Sequence, residues 1–166
     1  MQAIRKLLDI SERTLAVVCI LSFVAMFVLG IATVVFRFII QSSLAFPDEL
    51  IRYLFVWMIF LGSAIAFRRN MHAAIGVLVA YLPSTLKRAA LVFATLISGF
   101  FFLDIMIYGI DLTLRVRPQI SPALEVSMAW VYGAVPVGMA FLLVYAVELL
   151  VIQSRAPADE LLTEGH

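Results

Sequence analysis

Four long apolar stretches divide this chain, and its charges crowd at their edges. Thr14 to Phe36 carries no acidic or basic residue across 23 positions, and Tyr53 to Phe67 is likewise uncharged. The second stretch reaches spanning length when extended back through Asp48 to Arg52. Ala89 to Leu112 is broken only by Asp104 and Asp111, and Val126 to Val147 is unbroken. About 20 apolar residues carry a helix across a hydrocarbon core of about 30 Å. Lipid offers no partner to an open strand edge, and none of the runs alternates as a barrel strand does. The pattern therefore predicts an all-α integral membrane protein with four transmembrane helices, over about 14–36, 48–67, 89–112 and 126–150.

The flanking segments predict shorter elements. Ile4, Leu7 and Leu8 lie at helical spacing beside Arg5, Lys6, Asp9 and Glu12, so residues 1–13 read as an amphipathic lead-in at the membrane interface, with a frayed polar terminus as the plain alternative. The first run is well beyond the about 7–15 residues of a secretory signal's apolar region, and no small-residue cleavage site follows it. It is expected to stay attached. Ile75, Val77, Leu78, Val79, Tyr81 and Leu82 are too apolar for a watery loop, which predicts an interfacial helix over about 72–82 ended by Pro83; a re-entrant segment is the competing reading. Arg115 to Pro122 contains two prolines and reads as a tight turn, and 153–166 as a disordered polar tail.

Composition changes the picture only by closing alternatives. With 64% hydrophobic and 14% charged residues among 166, the chain lacks the polar surface of a water-soluble domain. A net charge of +1 gives no reason to expect nucleic acid as a partner. Cys19 has no second cysteine to pair with and reads as a small packing residue. Arg5, Lys6, Arg13, Arg68, Arg69, Lys87, Arg88 and Arg155 fall on one side of the predicted spans, against Arg37, Arg52, Arg115 and Arg117 on the other. The positive-inside rule then places both termini in the cytoplasm.

Few reactions are open to these residues. A haem-binding bundle needs axial ligands within the spans, and neither His72 nor His166 lies mid-span. A structural zinc site needs about four Cys or His ligands, whereas one Cys and two His are scattered here. No serine has a histidine placed near it at membrane depth, and no glycine-rich phosphate loop is present. The chain is not expected to be an enzyme, and no cofactor is expected in it.

The polar residues inside or beside the spans are more informative. Asp48 and Glu49 stand four and three residues before Arg52, so the acids can neutralise the arginine on one face of a helix that Pro47 opens. Such a group either anchors the helix at the interface or meets another subunit. Trp57 lies below the usual aromatic belt and is expected to face a partner or an acyl chain. Gly62 and Ala66 present a small-residue surface, as do Ala129 with Gly133 and Ala134 with Gly138, while Pro136 should bend the fourth helix. Asp104, Tyr108, Asp111 and Arg115 form a stripe at spacings of four, three and four. Asp104 lies roughly 22 Å along the third helix, where an exposed charge costs up to about 3 kcal/mol. The stripe is either a proton or cation relay, or a polar seam hydrogen-bonded to neighbours or reached by water.

The segment Pro47-Asp48-Glu49-Leu50-Ile51-Arg52-Tyr53-Leu54-Phe55-Val56-Trp57-Met58-Ile59-Phe60-Leu61-Gly62-Ser63-Ala64, followed by Arg68-Arg69 and His72, resembles the second-helix signature of the small membrane subunit (DctQ-like) of tripartite ATP-independent periplasmic (TRAP) transporters. Trp130, Tyr132, Pro136, Val137 and Gly138 resemble the family's closing motif. By position, Glu49, Arg52, Trp57, Gly62, Arg68 and His72 match the first motif, and Trp130, Pro136 and Gly138 the second. One departure is Gly76, where many relatives carry an acid.

The resemblance implies a bacterial inner-membrane scaffold beside a large membrane subunit, which takes up an organic acid delivered by a periplasmic binding protein and coupled to sodium ions held in that large subunit. It implies no bound substrate here, with Arg52 and Trp57 in subunit or lipid contact. A self-contained oligomeric four-helix carrier or channel is the alternative expectation; it requires a polar path, for which only the Asp104 stripe qualifies.

Overall fold

The computed structural model describes residues 2–41, 46–69 and 84–155. Five helices account for nearly all of them: α1 (Gln2–Phe38), α2 (Phe46–Arg68), α3 (Ser84–Arg115), α4 (Ala129–Tyr132) and α5 (Ala134–Arg155). Four stretches are long and apolar enough to cross a membrane, Arg5–Phe38, Phe46–Arg68, Arg88–Arg115 and Ala129–Ser154. The expected all-α membrane fold is thus what the chain adopts. Among the described residues the sole strand-like pairing is an isolated bridge between Ile120 and Ser127.

Two boundaries differ from the sequence pattern. The lead-in over residues 2–13 is helical but is not a separate element, because α1 runs 37 residues without a break. No proline or glycine occurs from Gln2 to Leu29, so nothing stops the hydrogen-bond ladder at the junction of Arg13 and Thr14. The fourth span is two helices in series. Pro136 has no N–H to give the carbonyl of Tyr132, and α4 ends at that residue, while Val137 N–H resumes the ladder to Gly133 at 3.2 Å. The expected interfacial helix over 72–82 lies outside the described residues, as does most of the tail expected to be disordered over 153–166, but 153–155 form the last turn of α5, where buried Gln153 meets Thr95.

The spans stand as a row. α2 packs against α1 on one flank and α5 on the other, and α3 packs against the far side of α5. α1 and α3 are therefore the two edges. The core is Leu15 from α1, Leu61, Ala64 and Phe67 from α2, and Met139, Leu142, Tyr145 and Ala146 from α5. Phe102 of α3 reaches it edge-on to Phe67, with ring centroids 5.1 Å apart. Small residues set how closely the helices approach. A Cβ on Gly138 would stand 2.7 Å from Phe60 Cβ and 3.2 Å from the Phe60 carbonyl carbon, so α2 and α5 meet backbone to backbone there. Gly109 of α3 plays the same part against Val135 and Pro136.

Candidate functional site

The densest polar cluster surrounds Arg68, in the last turn of α2. Its side chain is 11% exposed. Nε and Nη2 donate to the two carboxylate oxygens of Glu148 at 2.7 and 2.9 Å, a bidentate grip from α5. Nη1 donates to Glu12 at 2.5 Å and to the Leu8 carbonyl at 3.3 Å, and Nη2 also donates to Asp9 at 2.7 Å. A guanidinium has five N–H donors, and each has an acceptor here. Arg69 donates to the second oxygen of Glu12 at 2.7 Å. The Tyr145 ring lies 5.3 Å from the Arg68 guanidinium carbon, close enough for a cation–π contact, and its hydroxyl is 3.0 Å from Ser11 Oγ. One cation thus ties α1 and α5 to the end of α2.

At the opposite end of α2, Glu49 is only 3% exposed yet has no cationic partner among the described residues. Oε2 accepts the N–H groups of Ala123 and Leu124 at 2.9 and 3.1 Å. Oε1 accepts the hydroxyls of Tyr53 and Ser121. The loop that supplies these donors is closed by Ser121 N–H to Val126 O and Met128 N–H to Gln119 O, both 2.9 Å. Glu125, at a left-handed φ of 55°, turns the chain back within it.

The expected pairing of Asp48 and Glu49 with Arg52 is not what forms. Asp48 approaches Arg37 at 3.9 Å, and Arg52 Nε donates to the Asp48 backbone carbonyl at 3.3 Å. The reason is competition: four aligned donors satisfy a buried carboxylate better than one exposed arginine. Trp57, expected to face a partner or lipid, donates its indole N–H within the chain to the Trp130 carbonyl at 3.0 Å and packs against the core. Trp130 itself is 73% exposed. Of the small-residue surfaces, Gly138 with buried Ala134 forms a helix seam, whereas none of the described residues packs within 4 Å of a Cβ placed on Gly62. His72 lies outside the described residues.

The stripe on α3 points away from the rest of the chain. Asp104 and Tyr108 are exposed, and Asp111 pairs with Arg115 at 2.8 Å on the same outer surface. The seam to neighbouring helices within the chain lies elsewhere on α3, where buried Thr95 stands 3.1 Å from Gln153 of α5.

Sequence reasoning named Arg68 and Glu49 but missed what surrounds them. Asp9, Glu12 and Glu148 were visible as acids at the ends of spans on the same side as Arg68, a usable signal for a counterion. The backbone N–H groups of Ala123 and Leu124 leave no mark in a sequence. Chemically, both clusters are closed: their donors and acceptors are matched inside the chain, an arrangement suited to holding helices in place.

Comparison with known proteins agrees with that geometry. Residues 26–156 match the family described as "Tripartite ATP-independent periplasmic transporters, DctQ component". A proposed TRAP transporter small permease protein of Haemophilus influenzae is 37% identical over 79 residues, 48% of this chain and 49% of that protein. The matched region is therefore about half of that relative's length. A second such protein from the same organism is 25% identical over 123 residues, 74% of each chain. The sialic acid TRAP transporter permease protein SiaT of Haemophilus influenzae is 27% identical over 115 residues, which are 69% of this chain and 19% of SiaT. With its family match spanning most of its length and covering all four helical spans at least in part, this chain belongs to the DctQ family of TRAP transporter small permease components.

Proposed function

We propose that this protein is the static membrane partner of a large TRAP permease subunit, holding that subunit in place while an organic acid, delivered by a periplasmic binding protein, moves inward with sodium ions. The observation that carries this reading is the match to SiaT, in which the region similar to this chain is a fifth of a permease polypeptide. A segment that is covalently joined to a larger permease in one protein works beside a separate one in another. The geometry supports the scaffold role, because Arg68 and Glu49 have their hydrogen-bonding capacity met by the chain itself. The sodium sites and the substrate specificity then belong to the large subunit and the binding protein.

In this reading the protein lies in the bacterial inner membrane with both termini in the cytoplasm, and the Arg68 cluster is at the cytoplasmic face. Its outward apolar surface meets lipid and the large subunit. Reconstitution tests it: vesicles holding both membrane subunits, supplied with the binding protein and a sodium gradient, should accumulate substrate, and vesicles holding this chain alone should not. Solute flux through the isolated chain would overturn the assignment in favour of an autonomous carrier.

A further inference from the structure

Asp104 is at odds with its surroundings. It lies sixteen residues beyond Arg88 and eleven before Arg115 on α3, about 24 and 16 Å along the axis, close to the middle of the span. It is exposed there, on the face opposite the one that packs. At about 100° per residue, Ile97, Phe100, Asp104 and Tyr108 share one side of α3, whereas Thr95, Phe102, Met106 and Gly109 face α5 and the core. Phe100 is 74% and Tyr108 67% exposed on that outer side. Apolar groups there are at home in lipid. A carboxyl group is not, and with a single methylene Asp104 cannot snorkel to a headgroup at that distance.

We propose that the outer face of α3, centred on Asp104 between Phe100 and Tyr108, is the surface on which a transmembrane helix of the large permease subunit docks, presenting a hydrogen-bond donor side chain at the depth of Asp104. This rests on the reading of the chain as a scaffold subunit and adds to it which helix makes the contact and through what chemistry. Charge complementarity selects the occupant. A second copy of this chain, related by a twofold axis along the membrane normal, would set Asp104 against Asp104 at the same depth, with like groups opposed. A lipid tail offers no donor. A different protein helix bearing Arg, Lys, Ser, Thr or Tyr satisfies the carboxyl, and its apolar side chains fill the spaces between Ile97, Phe100 and Tyr108.

The test uses the co-expressed two-subunit complex in native membranes. A photoreactive phenylalanine analogue is placed singly at Ile97, Phe100 and Tyr108, and the adducts are identified by mass spectrometry. Crosslinks to the large subunit from these positions are expected. Adducts confined to lipid, or to a second copy of this chain, would overturn the proposal even if the wild-type chain co-purifies with the large subunit. Failure of the wild-type chain to co-purify at all would remove the scaffold reading as well. Asp104→Asn should keep co-purification and Asp104→Leu should weaken it about tenfold, the size expected of one interhelical hydrogen bond in lipid; equal retention by both variants would refute the donor contact.

Discussion

The two ends of α2 each bury a charged residue, and they do so by opposite means. Arg68 is met by three carboxylates from α1 and α5, with Asp9 and Arg69 open to water at the rim. Glu49 is met by neutral donors, two of them backbone N–H groups of one loop. Both charges also suit the helix macrodipole, the acid in its first turn and the base in its last. The difference follows from the shape of the groups. A guanidinium presents five diverging donors, so satisfying it draws acceptors from several helices and joins them. A carboxylate concentrates its acceptors at two oxygens, so satisfying it fixes the conformation of a single loop.

The largest effect should come from Arg68→Met, which strands Glu148 without its counterion and leaves Glu12 with Arg69 alone. We expect a loss of about 3 kcal/mol in denaturant titration of the protein in mixed micelles, the low end for breaking a buried ion pair because water reaches the rim. Hydrogen exchange should rise in the first half of α1 and at the end of α5 together. If only one of them loosens, Arg68 does not join them. Second in size, Glu49→Leu leaves the Ala123 and Leu124 N–H groups without their acceptor. Its exchange increase should be confined to residues 117–128, and a spread to α1 would show that the ends are not separate. Gly138→Ala should cost about 2 kcal/mol by pushing the new methyl into the Phe60 backbone, as overpacking does. Because that seam lies between the ends, both should loosen alike. Smallest is Trp57→Phe, which deletes one hydrogen bond worth about 1 kcal/mol and should speed exchange only near α4.

Much of this molecule is legible in the order of its residues. The spans follow from the scarcity of charge, since four apolar runs of that length with their charges crowded at the edges fit only lipid, and the break before α5 follows from Pro136. The contacts of single charges are less legible. Arg52 looked like the partner of Glu49 because helical spacing is the one geometric relation a sequence prints, yet of the four donors that prevail only Tyr53 stands at that spacing, and the other three lie more than 70 residues away in a loop. Arg68 and Glu148 are separated by 80 positions, and only the packing of α2 on α5 brings them together. Trp57 looked outward because depth can be counted along a helix, whereas the Trp130 carbonyl that takes its N–H cannot. Asp104 was visible as an anomaly of depth, and the fold added the direction in which it points.

Nineteen residues separate Glu49 from Arg68 along one unbroken helix, about 28 Å of rise. That interval is a gauge for the bilayer. Both anchors are locked to other parts of the chain, so neither can slide to suit a thicker membrane. Such a membrane must either pucker inward around α2 or lean the whole palisade, α1 and α5 included, through one common tilt.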